Sequence, residues 1–328
     1  MREARLLRIG REIFLAALGM PLDTVEPWVL ARLTTILEER EVLAGQTLFS
    51  AGSTSEFIYF MREGRVRYTR AGGPSWTFQG RWVLGGFEAL GERPSTHTAT
   101  ALTTFRAMRV PITAWVEMLE DSFPIARSAV TNASRAVARL EELVPSAAPA
   151  SAQDAPVLGV APPGPLSLTE RLALLFDVRM LRGVGVQALA DLAGVSEQVS
   201  VASGDVLVAR GRGCDRLLRI VDGEVVAERS DPSVARRYGP GDLVCGAAVL
   251  GGVVDAWEAR AVTPTRCIAV PLESLFDLME EHFELVRSTL FALGVRRGLL
   301  LDYLAGASGD LLVAGGDRPA IQSPVAQR

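Results

Sequence analysis

A chain of 328 residues with 48% hydrophobic side chains can supply the cores of two domains. Its net charge of −4 gives no electrostatic argument for a nucleic-acid or membrane partner. All 34 basic residues are arginine, which excludes lysine Schiff-base chemistry and a phosphate-loop lysine. The two histidines, His97 and His282, and the three cysteines, Cys214, Cys245 and Cys267, stand at no metal-ligand or C-x-x-C spacing, so neither a metal nor another cofactor is expected. Widely spaced, odd-numbered cysteines fit reduced thiols and a cytoplasmic location.

Residues 1–21 place basic residues before the apolar stretch Ile13–Met20, which ends at Pro21 without a small-residue cleavage pattern. An amphipathic helix is expected there, and no apolar run reaches the length of a membrane span. Residues 22–40 read as a helix, with Val29, Leu30, Leu33, Ile36 and Leu37 on one face. Strands follow at Gln46–Ser50, Phe57–Met61 and Arg65–Tyr68, separated by glycine turns. Pro111 opens a short helix, Ile112–Leu119, and Ser122-Phe123-Pro124 starts a longer one. Along it Val130, Ala133, Val137, Leu140 and Val144 form an apolar seam that needs a partner surface.

Residues 145–165 hold six prolines and are expected to be a semi-extended linker. Beyond it Ser167 or Thr169 can cap a helix through Leu181, and Val186–Ala193 makes another. Strands return at Val206–Ala209, Arg216–Val221 and Glu224–Glu228, with an Asp222-Gly223 turn between the last two. After Pro271 come a short helix and a longer one from Glu280 to Leu304. In the longer helix Val286, Leu290, Leu293, Leu300 and Leu304 repeat the seam around Arg297. Residues 306–328 are expected to be a frayed tail.

The two halves are copies. Gly45, Gly52 and Gly64 recur as Gly204, Gly211 and Gly223, each displaced by 159 residues. After a one-residue insertion Gly86, Ala101, Arg106, Pro111 and Phe123 recur 160 residues later. The expected domains are therefore residues 22–144 and 166–305.

Each half carries a glycine-rich bend before an alternating Ala/Thr strand: Leu84-Gly-Gly-Phe-Glu-Ala-Leu in the first, Val244-Cys-Gly-Ala-Ala-Val-Leu in the second. With the Gly-Pro-Gly-Asp at 239–242 and the strand from Ala101 to Pro111, this resembles the cyclic-nucleotide-binding β-roll of the catabolite activator and the kinase regulatory subunit. The resemblance implies an α+β fold of two tandem jelly-roll β-rolls with flanking helices. It also implies a phosphate-binding cassette, in which a short helix N-terminus and an arginine hold the cyclic phosphate and a glutamate accepts the ribose hydroxyl.

The positions that match that motif lack its chemistry. Phe87 follows Gly86 and Ala247 follows Gly246 where the glutamate belongs. Ser95 and Asp255, followed by Thr96 and Ala256, stand at the arginine site. Both loops are short by at least one residue against the family pattern, and sliding the frame brings Glu88 or Arg93 toward the first pocket. Losing two hydrogen bonds to charged groups removes roughly 3–6 kcal/mol, about a hundred- to ten-thousand-fold in affinity. Cyclic nucleotide is not expected as a ligand.

The expectation is a non-enzymatic regulator or scaffold that docks an unidentified protein partner through its two degenerate rolls. The alternative is a nucleotide receptor with a non-standard pocket in the first. No nucleophile–base or metal constellation is present, so no catalytic residue is assigned. The residues after 305 leave no room for the helix-turn-helix of the catabolite-activator type, so nucleic acid is not an expected partner. The seams leave a homo-oligomer and an intrachain pairing both open.

Overall fold

The computed structural model describes residues 8, 11, 18–20, 25–91, 93–144, 164–230, 235–308, 311–314 and 320–322. The expected helix over 1–21 and the linker over 145–165 lie almost wholly outside the described residues. The chain forms two compact units, residues 1–129 with 298–328, and residues 130–297.

In the first unit Pro27 opens helix α1 (Pro27–Ile36) at a position where its missing N–H is not needed. Val29 and Leu33 are buried, and Arg32 donates to Glu117 at 2.8 Å and to Asp121. The helix stops four residues short of the expected end. Glu38–Val42 forms strand β1 instead, paired antiparallel with β8 (Phe105–Pro111). Its Glu-Glu-Arg-Glu sequence suits a helix, but cross-strand pairing decides: Arg109 sits opposite Glu38 and bonds it at 2.8 Å. The other strands are β2 (Thr47–Phe49), β3 (Phe57–Met61), β4 (Arg65–Thr69), β5 (Trp76–Gln79), β6 (Trp82–Leu84) and β7 (Thr98–Ala101). One sheet has the order β1-β8-β3-β6, and the other contains β2-β7-β4-β5. The short helix α2 (Phe87–Leu90) follows β6, and helix α3 (Ile112–Asp121) follows β8. The long helix α4 (Phe123–Glu142) starts in this unit, and its residues from Val130 onward belong to the other.

The second unit repeats this plan. Ser167 caps helix α5 (Leu168–Phe176) through a capping box with Glu170, and helix α6 (Val186–Val195) follows. Strands β9 (Glu197–Val201), β10 (Val206–Val208), β11 (Arg216–Asp222), β12 (Val225–Glu228), β13 (Ala235–Tyr238), β14 (Leu243–Val244), β15 (Glu258–Ala261) and β16 (Thr265–Pro271) form sheets β9-β16-β11-β14 and β10-β15-β12-β13. That is the order of the first unit, strand for strand. Helix α7 (Gly246–Leu250) stands where α2 stood. Helices α8 (Leu272–Glu281) and α9 (Phe283–Ser308) close the roll, with α9 passing into the first unit at Gly298.

Equivalent glycines meet equivalent neighbours. Gly64 has φ +99° and a Cβ there would lie 2.7 Å from Phe105. Gly223 has φ +95° and its Cβ would meet Thr265, the residue 160 positions after Phe105. Each turn crosses so close to its neighbouring strand that only glycine fits both the dihedral and the gap.

One departure from the repeat adds to the first unit. Leu311–Ala314, expected within a frayed tail, forms strand β17, parallel to β5, and Ala320–Gln322 pairs with it as β18. Leu311 and Val313 are buried, and Trp82 Nε1 donates to the Val313 carbonyl at 3.2 Å. An apolar segment with alternating burial on an open sheet edge gains both a hydrogen-bond ladder and apolar burial.

Candidate functional site

In the first roll β6 delivers the chain into two left-handed glycines, Gly85 at φ +76° and Gly86 at φ +91°. A Cβ at Gly86 would collide with Ile58 at 2.7 Å, so the bend lies flat against β3. Helix α2 is a single turn, closed by the Leu90 N–H donating to the Gly86 carbonyl at 3.0 Å. Phe87, expected from the sequence at the glutamate position, is half-buried at its start, and Arg93 is exposed beyond it. Glu88 lies in this turn, and its side chain is outside the described residues.

Ser95, expected from the sequence at the arginine position, is only 4% exposed. Its carbonyl accepts from Gly52 N–H at 2.8 Å and its N–H donates to the Ser53 carbonyl at 2.9 Å, so the residue clamps the Ala51–Ser53 turn. Thr96 is exposed, and its hydroxyl pairs with His97 Nδ1 at 2.8 Å. His97 points inward: its Nε2 meets Asp302 Oδ1 at 3.3 Å, and Arg70 bonds the same carboxylate at 3.0 Å. Asp302 comes from the last turns of α9, which belong to this unit.

An aromatic layer lies against that histidine. The His97 and Trp76 ring centres are 4.5 Å apart, Tyr68 stacks on Trp76 at 5.7 Å, and Phe49 and Phe78 meet Tyr68 edge-on at 5.6 and 5.0 Å. The register explains the cluster, because Tyr68 sits opposite both Trp76 and Ala99, and small Ala99 leaves room for the rings. The interior face behind the cassette strand is thus filled by side chains.

In the second roll Cys245 takes the place of Gly85 and adopts φ +50°, the left-handed region that a non-glycine residue enters at a cost. Burial pushes its thiol up to about 12, so it remains protonated at neutral pH. Gly246 and half-buried Ala247 open α7, and Asp255 and half-buried Ala256 occupy the single 3-10 turn Val254–Ala256 before β15. Within this unit α4 lies directly on the bend. Arg135 Nε donates to the Gly251 carbonyl at 2.7 Å, and a Cβ on Gly251 would meet the Arg135 backbone nitrogen at 2.9 Å. Glu141 on the same helix bonds Arg296 at 2.9 Å and Glu142 bonds Arg229 at 2.9 Å.

The seam residues lie inside the chain. Val130, Val137, Leu140 and Val144 are buried and Ala133 is half-buried; Val286, Leu290, Leu293, Leu300 and Leu304 are all buried. Three features of these sites escape a reading of the sequence: Asp302 against His97, Arg135 on the second bend, and β17 on the sheet edge. None sits in a local motif.

The sequence profile of the cyclic nucleotide-binding domain matches residues 39–122 and 198–282, just over half of the chain. No curated protein matches. Similar solved structures include the cAMP-bound PfPKA-R fragment, at 16% identity over 91% of this chain and 90% of that one, with a TM-score of 0.35. The regulatory domain of Toxoplasma gondii PKA with cAMP is 15% identical over 93% of this chain and 97% of its own, with a TM-score of 0.33. The regulatory subunit of a cAMP-independent protein kinase A from Trypanosoma brucei is 15% identical over 84% and 88%, with a TM-score of 0.32. With two matched copies in tandem, each on a β-roll of the same strand order, the chain belongs to the cyclic nucleotide-binding domain family.

Proposed function

We propose that this protein is a non-enzymatic regulator or scaffold whose two rolls, residues 22–144 and 166–305, are docking modules for a protein partner and do not serve as cyclic-nucleotide receptors. The observation that carries this reading is the content of the first roll. The position for the phosphate-binding arginine is a buried serine with its backbone committed to a turn, and His97 behind it is engaged by Asp302 and packed on Trp76. A small-molecule site needs a concave space of several hundred cubic ångströms. Here the corresponding face carries Phe49, Tyr68, Trp76 and Phe78, and a carboxylate faces the interior where the family ligand would bring a second negative charge.

The second roll supports the same reading by different means. Arg135 and its helix cover the bend, and the cassette carries Ala247 and Asp255 at the two recognition positions. A fold kept without the family's ligand chemistry leaves the surfaces of the rolls to carry the regulatory contacts.

Calorimetric titration of the full chain with cyclic AMP, cyclic GMP and nucleosides tests the reading. Dissociation constants above about 100 μM are expected for each, from the loss of two charge-assisted contacts. Micromolar binding of any of them would support a nucleotide receptor with a non-standard pocket and overturn the proposal. Substituting Phe87→Glu together with Ser95→Arg is expected to restore binding only in part, because Asp302 and the aromatic layer remain.

A further inference from the structure

At the cassette bend the repeat sets two residues of each roll side by side. In the first unit Ser55 stands two residues before β3, and Gly85 follows β6 directly. A Cβ built on Gly85 would lie 3.4 Å from Ser55 Oγ. In the second unit both positions are cysteines: Cys214 stands 159 residues after Ser55, and Cys245 stands 160 after Gly85. A cysteine at the bend carries a conformational cost that glycine avoids.

Three observations carry the geometry from one roll to the other. The strand register is the same, with Tyr59 opposite Leu84 in the first and Leu218 opposite Val244 in the second. The side chains are directed alike: Ser55 Oγ donates to the Phe57 carbonyl at 2.8 Å, and Cys214 Sγ donates to the Arg216 carbonyl at 3.2 Å. The backbone is left-handed at both bends, at φ +76° for Gly85 and +50° for Cys245. Cys245 Cβ is thereby set close to Cys214 Sγ, and a disulfide needs about 3 Å between those two atoms. Electrostatics agrees, because charge on Cys214 raises the pKa of Cys245.

We propose that Cys214 and Cys245 are a redox pair, closed into a disulfide by a hydroperoxide and reopened by a small thiol. Cys214 is half-buried and meets the oxidant first, while Cys245, 5% exposed, resolves the product. The Cys214 sulfur attacks one oxygen of hydrogen peroxide and the O–O bond breaks, giving a sulfenic acid and one water. The Cys245 sulfur then displaces the sulfenic hydroxyl, which leaves as water with the Cys245 proton. Two thiols lose two electrons and two protons, and the peroxide becomes two waters. Burial raises the Cys214 pKa, so the first step is slow and gains from alkaline pH. Closure gives up the weak bonds of Cys214 to the Arg216 carbonyl and of Cys245 to Tyr238. It ties the entry of β11 to the bend that opens α7, so oxidation fastens the second cassette and leaves the first, with Ser55 and Gly85, unchanged.

Hydrogen peroxide at pH 8 on the native full chain, then acid quenching, alkylation and tryptic mass mapping without reductant, tests this. The chain is expected to lose two hydrogens and to fall from three thiols, Cys214, Cys245 and Cys267, to Cys267 alone. The map should show peptide 213–216 linked to peptide 238–260, and dithiothreitol should restore all three thiols. Cys214→Ser and Cys245→Gly each put the first roll's residue into the second. Under the same oxidant Cys214→Ser should keep both remaining thiols, and Cys245→Gly should carry Cys214 on to the sulfinic acid. The pair is overturned if the parent chain keeps three thiols, if its Cys214 reaches the sulfinic acid while Cys245 stays reduced, or if the link joins Cys267 or a second copy. The map of the parent decides the question even if neither variant folds.

Discussion

Asp302→Ala is the most informative single change to the first unit, because it removes the polar link between α9 and the cassette strand. Asp302 is 11% exposed and His97 is 6% exposed at the side chain, so their contact is shielded from solvent. At 3.3 Å it is at the long end of hydrogen-bond geometry, which places it at the low end of the range for bonds to charged groups, about 1.5 kcal/mol. The Arg70 contact is closer at 3.0 Å, but Arg70 is 41% exposed and screened, so it adds roughly 0–1 kcal/mol. The expected loss is therefore about 2 kcal/mol, with Arg70→Ala below ~1 kcal/mol. A double-mutant cycle with His97→Ala isolates the pair and should return a coupling of about 1.5 kcal/mol. Urea titration followed by tryptophan fluorescence is a suitable assay, since Trp76 is 4.5 Å from the His97 ring. Two units can unfold separately, so the transition reporting Trp76 is the one to fit. A coupling indistinguishable from zero, with Arg70→Ala as costly as Asp302→Ala, would show that Asp302 is merely a surface charge close to the histidine.

Other substitutions probe the backbone and the thiols. Gly223→Ala is expected to destabilise the second unit by over 3 kcal/mol, since the new methyl meets the Pro264 carbonyl at 2.6 Å in addition to the left-handed penalty of ~1–2 kcal/mol. Gly204→Ala, at φ +91° with nothing within 4 Å, should show that penalty alone; equal losses in chemical denaturation would refute the steric argument. Cys245 and Cys267, both pushed up to about 12 by burial, should resist alkylation at pH 8 in the native chain and react at once in urea. Their folded pKa lies above the unfolded value, so the stability they contribute is complete below about pH 8.5 and declines as pH rises from there toward 12. Unfolding midpoints that stay level between pH 8 and pH 10 would contradict this.

The repeat and the strand-and-turn grammar were legible in the sequence. Each rests on local signals: a glycine at a tight turn or an alternating Ala/Thr strand. Pairing across long separations was not legible. Glu38–Val42 has a helix-forming composition, and only Arg109, 71 residues away, makes it a strand. His97 reads as a lone packed histidine until Asp302, 205 residues later, is brought against it. Arg135 reaches Gly251 across 116 residues, and β17 finds the edge of β5 although nothing in its four residues names that partner. Arg219 stands 159 residues after Phe60, and both are buried, at 4% and 1% exposure. Only the structure decides this, because burial is a property of the packed sheet and helices, and a strand sequence such as Arg-Leu-Leu-Arg-Ile does not state which of its arginines faces water.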